Sequence, residues 1–467
     1  MKTVLSATFW ISLYLLLVLA PLLILILGEV PPGAGFWWDF SMALGFSGMA
    51  TMSVLFLLTA RFQRACAPFG IDIIYYFHRY LAVLAVLMIF THYLIIRIVN
   101  VDALGSLNPL EAPWHMTSGR VALMLLSLLI ITSLWRKPLR IHYDQWRMLH
   151  IALAVTAFLL AMGHIQGINY YIEAPAKHWL WSGYSLIWVS LIFYIRLFKP
   201  WKMYHKPYRV TELRQERGDS WTLALEPEQP RRIAGRITGG MTCAMAFMPG
   251  QFAWLVLRAS PWHVKEHPFS ISSSAARQDR LEFTIKELGD FTRTVKEMQV
   301  GERAYLDGPY GIFSTDLHSD AAGFVFIAGG VGAAPIISML RTLADRHDPR
   351  PLWFIYANNR WQDVIFREEL ELLKTRLQLT LVHVLTELPP ELPPEPPTGP
   401  ATGPATDWQG ESGFITPQLL QKTLPPDAQK FEYFLCGPRP MSNAVHQGLK
   451  ILQVPLNQIH FELFDLV

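Results

Sequence analysis

Four histidines stand inside apolar sequence at one repeated interval, 78-HRYLAVLAVLMIFTH-92 and 150-HIALAVTAFLLAMGH-164. An imidazole in hydrocarbon is costly and persists when a metal, another polar group or a water-filled path receives it. Fourteen residues of α-helix turn through about 1,400°, about 40° short of four turns, and rise about 21 Å. Each helix therefore presents two imidazoles on nearly one face, at two depths. With the two helices running in the same direction, His78 faces His150 and His92 faces His164. Two bis-histidine haem sites stacked across a bilayer satisfy all four rings. A histidine proton relay is the competing chemistry, and it gives no reason for the matched pairing.

The elements that must hold these rings follow from composition. Of 467 residues, 51% are hydrophobic and only 16% charged, which an ordinary soluble surface does not accommodate. The apolar residues concentrate before about residue 200, so the chain reads as a membrane half followed by a soluble half. Segments 4–27, 41–60, 71–97, 118–135, 146–164 and 179–198 are each long enough to cross about 30 Å of hydrocarbon. The first has too long an apolar core for a signal peptide and no small-residue cleavage site, so it is expected to span. Lys2, Arg61, Arg64, Arg136, Lys137, Arg140, Arg147, Arg196, Lys199 and Lys202 fall on one side, and Arg97, Arg120 and Lys177 on the other. The positive-inside rule then predicts a cytoplasmic N-terminus and a cytoplasmic soluble half; a bacterial inner or plasma membrane is the expected location. Arg79 and Arg147 could pair with propionates of the inner haem, or serve as the basic residues expected at a cytoplasmic boundary; Arg97 and His115 could lie over the outer haem edge, or be solvated loop residues.

The net charge of +3, with no long basic run, gives no reason to expect nucleic acid. Cys66, Cys243 and Cys436 are scattered without metal-ligand spacing, so neither a disulfide framework nor a zinc site is expected of them.

From about residue 205 the pattern becomes short β-like runs, YRVTEL, WTLALEP, PGQFAWLVL, LEFTIKEL and RAYLDGPYG, which predict a small antiparallel barrel. After residue 320, strand-like and helix-like runs alternate, from AAGFVFIAGG to FEYFLCGP and RPMSNAVHQGLK. That alternation predicts a parallel sheet flanked by helices. The cluster 328-AGGVGAAP-335 falls between a strand and a helix, where small residues and unpaired helix N–H groups suit a pyrophosphate.

The motifs 267-HPFSIS-272, 286-KELGDFT-292, 307-DGPYG-311, 328-AGGVGAAP-335 and 436-CGPRPM-441 occur in the order seen in ferredoxin-NADP reductase-like flavoproteins. Together with the paired-histidine helices, they make the chain resemble the NADPH oxidase and ferric reductase family over nearly its full length. The resemblance implies a multi-domain membrane protein: a six-helix transmembrane bundle at 1–204, an antiparallel β-barrel FAD domain at 205–316 and an α/β nucleotide-binding domain at 317–467. It implies FAD, two b-type haems on His78, His92, His150 and His164, and NADPH or NADH as donor. His267, Pro268, Phe269, Ser270, Ile271 and Ser272 resemble the flavin strand, with Ser270 near the reactive flavin nitrogen. Lys286, Gly289 and Thr292 resemble the FAD pyrophosphate grip. Gly329, Gly330, Gly332 and Pro335 resemble the dinucleotide turn, and Cys436, Gly437 and Pro438 the strand end beside the nicotinamide. A buried core thiol is the other reading of Cys436. Arg360 stands where such reductases meet the adenosine ribose or a 2′-phosphate, which favours NADPH slightly.

Two features depart from the family pattern. The family ends on an aromatic residue over the flavin, whereas this sequence ends 461-FELFDLV-467, leaving Phe464 as the candidate ring and core packing as its alternative. A Pro-rich loop at 386–410 interrupts the nucleotide domain and is expected to carry no chemistry. The activity implied is transmembrane electron transfer from NAD(P)H to an outer acceptor, either O2, giving superoxide, or a ferric chelate. Delivery of electrons to a partner protein is a third possibility.

Overall fold

A computed structural model describes residues 2–27, 32–62, 70–228, 232–233, 236–237, 245–263, 265–277, 279–387, 410–425 and 427–462. Phe464, Cys66, Cys243 and most of the Pro-rich loop lie outside the described residues. The chain forms two compact units, Met1–Lys202 with Pro261–Lys265, and Met203–Ser260 with Glu266–Val467.

Among the described residues of the first unit are six helices long and apolar enough to cross a membrane. They are α1 (Lys2–Ile26), α2 (Phe36–Thr59), α3 (Ile71–Val99), α4 (Trp114–Leu134), α5 (Tyr143–Ile168) and α6 (Pro175–Phe193). Most extend a few residues beyond the apolar runs, as α2 does through Phe36, Trp37 and Trp38. Aromatic and basic residues at the bilayer interface continue a helix after hydrocarbon-type sequence has ended. Phe158, Trp181 and Trp188 are fully buried in the bundle core with Met49 and Leu126. By contrast Leu5, Phe9, Leu15, Leu186 and Ile187 point outward and are exposed, as lipid-facing side chains must be. The buried Lys177 donates to the Leu25 carbonyl at 2.7 Å, fastening α6 to the end of α1.

The second unit begins with a six-stranded antiparallel sheet of β1 (Tyr208–Glu216), β2 (Ser220–Pro227), β3 (Phe252–Leu257), β4 (His267–Ser270), β5 (Leu281–Lys286) and β6 (Arg303–Tyr310). The strand order is β4-β3-β6-β1-β2-β5, and an Ile271–Phe283 bridge joins the two ends, curling the sheet into a barrel. Leu223, Leu255, Ile271 and Phe283 fill its interior.

A six-stranded sheet follows, in the order β10-β9-β8-β7-β11-β12, every pair parallel. Its strands are β7 (Phe324–Gly329), β8 (Leu352–Asn358), β9 (Leu379–Leu385), β10 (Glu411–Ser412), β11 (Glu432–Cys436) and β12 (Ile459–Glu462). Helices α7 (Ala333–Asp345), α8 (Arg367–Lys374), α9 (Pro417–Thr423) and α10 (Arg439–Ile451) accompany them. Strands covered on both faces read as continuous apolar runs, which is why Phe324–Ala328 is wholly buried. The order reverses at β7, between β8 and β11, and such a switch point opens a ligand crevice at the strands' carboxyl ends. The run 361-WQDVIFREELELLK-374, which follows a strand-like run, reads in sequence as one helix. The structure breaks it, with a 3-10 turn at Trp361–Asp363 and Phe366 left-handed at φ 60 before α8 starts. Burial of Val364, Ile365 and Phe366 against the core decides that break.

Candidate functional site

The four histidines gather as two pairs between α3 and α5. His78 and His150 face each other with ring centroids 6.3 Å apart and planes inclined at 55°. Two imidazoles bonded to opposite sides of one metal at about 2 Å have centroids roughly 6 Å apart, so this spacing accepts an iron between them. His92 and His164 line one cavity of about 470 Å³, within the range of about 300–1,000 Å³ typical of ligand and cofactor pockets.

Backbone carbonyls orient the outer pair. His92 Nδ1 donates to the Ser41 carbonyl at 2.9 Å, and His164 Nδ1 to the His115 carbonyl at 2.9 Å. A carbonyl only accepts, so each proton sits on Nδ1 and each Nε2 keeps the lone pair a metal needs. Ser41 reinforces its side, its hydroxyl donating to the His92 carbonyl at 2.9 Å. On the inner pair, His150 Nδ1 lies 3.2 Å from the Ser133 hydroxyl, whose own proton goes to the Leu129 carbonyl at 2.7 Å.

Two glycines make room for the outer rings. A Cβ on Gly45 of α2 would lie 3.2 Å from His92 Nδ1, and one on Gly119 of α4 would lie 2.6 Å from His164 Nδ1. Sequence reasoning missed Ser41, Gly45 and Gly119, although a glycine within an apolar span is a signal of close approach. It did single out His115, but for its ring; the structure uses its carbonyl. Arg97 and Arg79 are exposed. Arg120, also on the outer cavity, donates to the Ser106 carbonyl at 2.7 Å.

In the barrel, β4 carries His267–Ser270. Ser270 is 4% exposed and its buried hydroxyl meets no partner among the described residues, a state that costs about 1–3 kcal/mol and that a ligand edge relieves. The Phe291 ring stacks on His267 at 3.8 Å and lies 6.0 Å from Phe269. The next two residues serve the barrel itself: Ile271 packs in its core and the Ser272 hydroxyl accepts from Thr284 at 3.0 Å. Lys286 ends β5, and beyond it the Thr292 hydroxyl accepts from the Leu288 and Gly289 amides, both at 2.8 Å. Thr292 therefore shapes this turn, and the amide expected to hold a pyrophosphate is turned inward to it.

At the switch point the two predicted glycine motifs meet. A Cβ on Gly332 would lie 2.3 Å from the Cys436 carbonyl, and one on Gly437 would lie 3.0 Å from the Gly329 amide nitrogen. Gly330 is left-handed at φ 54, and its carbonyl accepts from the buried Tyr356 hydroxyl at 3.0 Å. Pro335 is buried in the first turn of α7, and Pro438 lies exposed at the mouth of the crevice. Cys436 is fully buried in the apolar cluster with Phe434 and Phe326. Arg360 is not a bare cation, since its Nε lies 2.6 Å from Glu387 Oε2, both side chains being exposed.

Family models match three consecutive stretches: "Ferric reductase like transmembrane component" at 44–161, "FAD-binding domain" at 241–314 and "Oxidoreductase NAD-binding domain" at 326–447. The chain has the architecture of the NADPH oxidase and ferric reductase family. The histidine pairs lie on helices of its ferric reductase component, and the glycine crevice lies in its NAD-binding domain. Curated relatives match part of the chain. The reductase component of propane 2-monooxygenase from Rhodococcus jostii is 29% identical over 262 residues, covering 55% of this chain and 62% of that protein. NADH-cytochrome b5 reductase 1 from Lodderomyces elongisporus is 32% identical over 185 residues, covering 39% of this chain and 55% of that protein. The chain thus spans less than two thirds of either relative. A solved structure, the ferredoxin reductase in carbazole 1,9a-dioxygenase, is similar at 24% identity and a TM-score of 0.43, covering 56% of this chain and 69% of that one. The chain is an integral membrane oxidoreductase with FAD-binding and nicotinamide-nucleotide-binding domains.

Proposed function

We propose that the chain carries electrons from cytoplasmic NADH, through FAD and two b-type haems, to dioxygen on the outer side, releasing superoxide. The observation that carries this reading is the two histidine pairs on α3 and α5, one with facing rings and the other lining one cavity, in a chain that also holds flavin and nucleotide domains. Bound flavin takes hydride from a nicotinamide and yields single electrons, which bound haem accepts, and these cofactors supply all the redox chemistry.

The residues supply position. His78 with His150, and His92 with His164, would hold the irons, the outer two through Nε2, and the 14-residue interval sets the two sites about 21 Å apart along the helices. With two histidines committed to each iron, a bound haem would offer its acceptor outer-sphere electron transfer. Ser270 offers its unpaired hydroxyl to the flavin edge. Gly329, Gly330 and Gly332 let a pyrophosphate approach the start of α7. The distribution of Lys and Arg about the spans supports a cytoplasmic N-terminus and flavin unit.

The Arg360–Glu387 pair makes NADH the fitting donor, against the NADPH preference expected from Arg360 alone. A carboxylate at this place bonds ribose hydroxyls and repels a 2′-phosphate. Glu387→Gln is accordingly expected to raise kcat/KM for NADPH about tenfold relative to NADH, a change of about 1.4 kcal/mol in discrimination. An unchanged ratio in steady-state assays removes the pair from cofactor choice.

A ferric chelate is the second reading of the acceptor, favoured by the family description matched at 44–161. NADH-driven reduction of cytochrome c by the purified chain, with and without superoxide dismutase, separates the two. Dismutase is expected to suppress the signal, and a dismutase-insensitive signal sinks the oxidase reading.

A further inference from the structure

We propose that His318, Glu432 and His460 form a binding site for a divalent transition-metal ion, with zinc the fitting ion. The three residues come from separate places. His318 precedes β7, Glu432 opens β11, and His460 lies on the edge strand β12, where its Cα pairs with Phe434. Because β11 runs from Glu432 to Cys436, the cluster sits at the amino ends of the sheet, opposite the nucleotide crevice.

The donors converge without a spacing motif. One carboxylate oxygen of Glu432 lies 2.7 Å from His460 Nε2 and 3.6 Å from His318 Nδ1, and all three donor atoms lie within 4.8 Å of one another. Donors bound tetrahedrally to zinc at about 2.0–2.1 Å are about 3.3 Å apart, so small rotations seat an ion. Two histidines and one carboxylate are a recurrent zinc donor set. The side chains are 23%, 18% and 21% exposed, which admits water to the remaining position.

The surroundings hold the rings in place. The imidazoles lie 4.1 Å apart, and Phe434 packs against both, at 5.8 Å from His318 and 4.9 Å from His460. Arg350 donates to the Ser319 carbonyl at 3.2 Å, pinning the segment that carries His318. An ion here ties the entry segment, β11 and β12 together, and so stabilises the nucleotide domain without touching its crevice.

The test uses the full cofactor-loaded chain, stripped with a chelator and equilibrated against buffered free Zn²⁺. Zinc content is read by plasma mass spectrometry, and melting by the release of flavin fluorescence. Wild type is expected to gain about one equivalent of zinc over His318→Gln, Glu432→Gln and His460→Ala, and to melt higher with zinc. The variants are expected to bind at least about tenfold more weakly, the least that loss of even an outer-shell partner costs. NADH-to-ferricyanide turnover unchanged in the near-isosteric Glu432→Gln verifies its fold, and keeps the test decisive if His460→Ala does not fold. Equal zinc content and affinity in wild type and Glu432→Gln, or no zinc in wild type at micromolar free ion, overturns the site and leaves a hydrogen-bonded triad.

Discussion

His92→Ala is expected to remove the outer haem and with it all electron delivery to the outer acceptor, while NADH still reduces the flavin at the wild-type rate. His92 is held by its Nδ1 to the Ser41 carbonyl, so its Nε2 is the donor left to the cavity it shares with His164. Alanine leaves His164 as a lone ligand, and one imidazole does not replace a bis-histidine pair. The reduced-minus-oxidised spectrum should lose about half of its b-type amplitude, because one haem of the two remains on His78 and His150. Stopped-flow flavin reduction checks the modular arrangement independently. If flavin reduction falls together with the haem signal, the two functions are not separable and the proposed relay is wrong. A spectrum without any b-type bands in the wild type would return the histidines to a proton relay.

The helices were legible because a bilayer forces long apolar runs, and the histidine interval was legible because His78 and His92 share one continuous helix and His150 and His164 another. What held the rings was not. The Ser41 and His115 contributions come from backbone carbonyls, which no residue type encodes, and Gly45 and Gly119 matter only through the ring each one faces on a neighbouring helix. In the soluble part the longer strands were plain, whereas β10, of two residues, and β12, of four, were not. Such short edge strands carry too few residues to show a period.

Glu387 was assigned to a loop without chemistry, yet it pairs with Arg360 across 27 residues of sequence. The His318–Glu432–His460 cluster likewise exists only because the parallel sheet brings β11 and β12 together. Spacing finds ligands on one element and is blind to ligands that a sheet assembles.

Arg341→Ala carries the largest expected effect on stability. Arg341 lies on α7, the helix that begins at the nucleotide turn, and it reaches back to the barrel. Its guanidinium donates to the Ser272 carbonyl at 2.8 Å, just past the flavin strand, and to Glu282 at 2.8 Å. It also grips both oxygens of Glu369, at 2.6 and 2.7 Å. The Arg341 and Glu282 side chains are only 14% and 11% exposed, so solvent screens this pair little. Breaking a buried ion pair costs about 3–5 kcal/mol, and the lower end is expected because Arg280 still faces Glu282.

The effect has a pH signature. Burial works against ionisation of Glu282, but Arg341 and Arg280 outweigh it and hold the carboxyl below its usual range. A carboxylate depressed on folding contributes stability that is complete above its unfolded pKa and lost as pH falls through its folded pKa. The gap between wild type and Arg341→Ala in thermal melting should therefore be full at neutral pH and shrink in acid as Glu282 takes up its proton. Arg341→Lys is expected to recover only part of the gap, since an ammonium cannot bridge Ser272, Glu282 and Glu369 at once. A gap that does not change with pH would assign the loss to packing of the arginine stem, and no gap at all would mean that the barrel and the nucleotide domain are held together without this clamp.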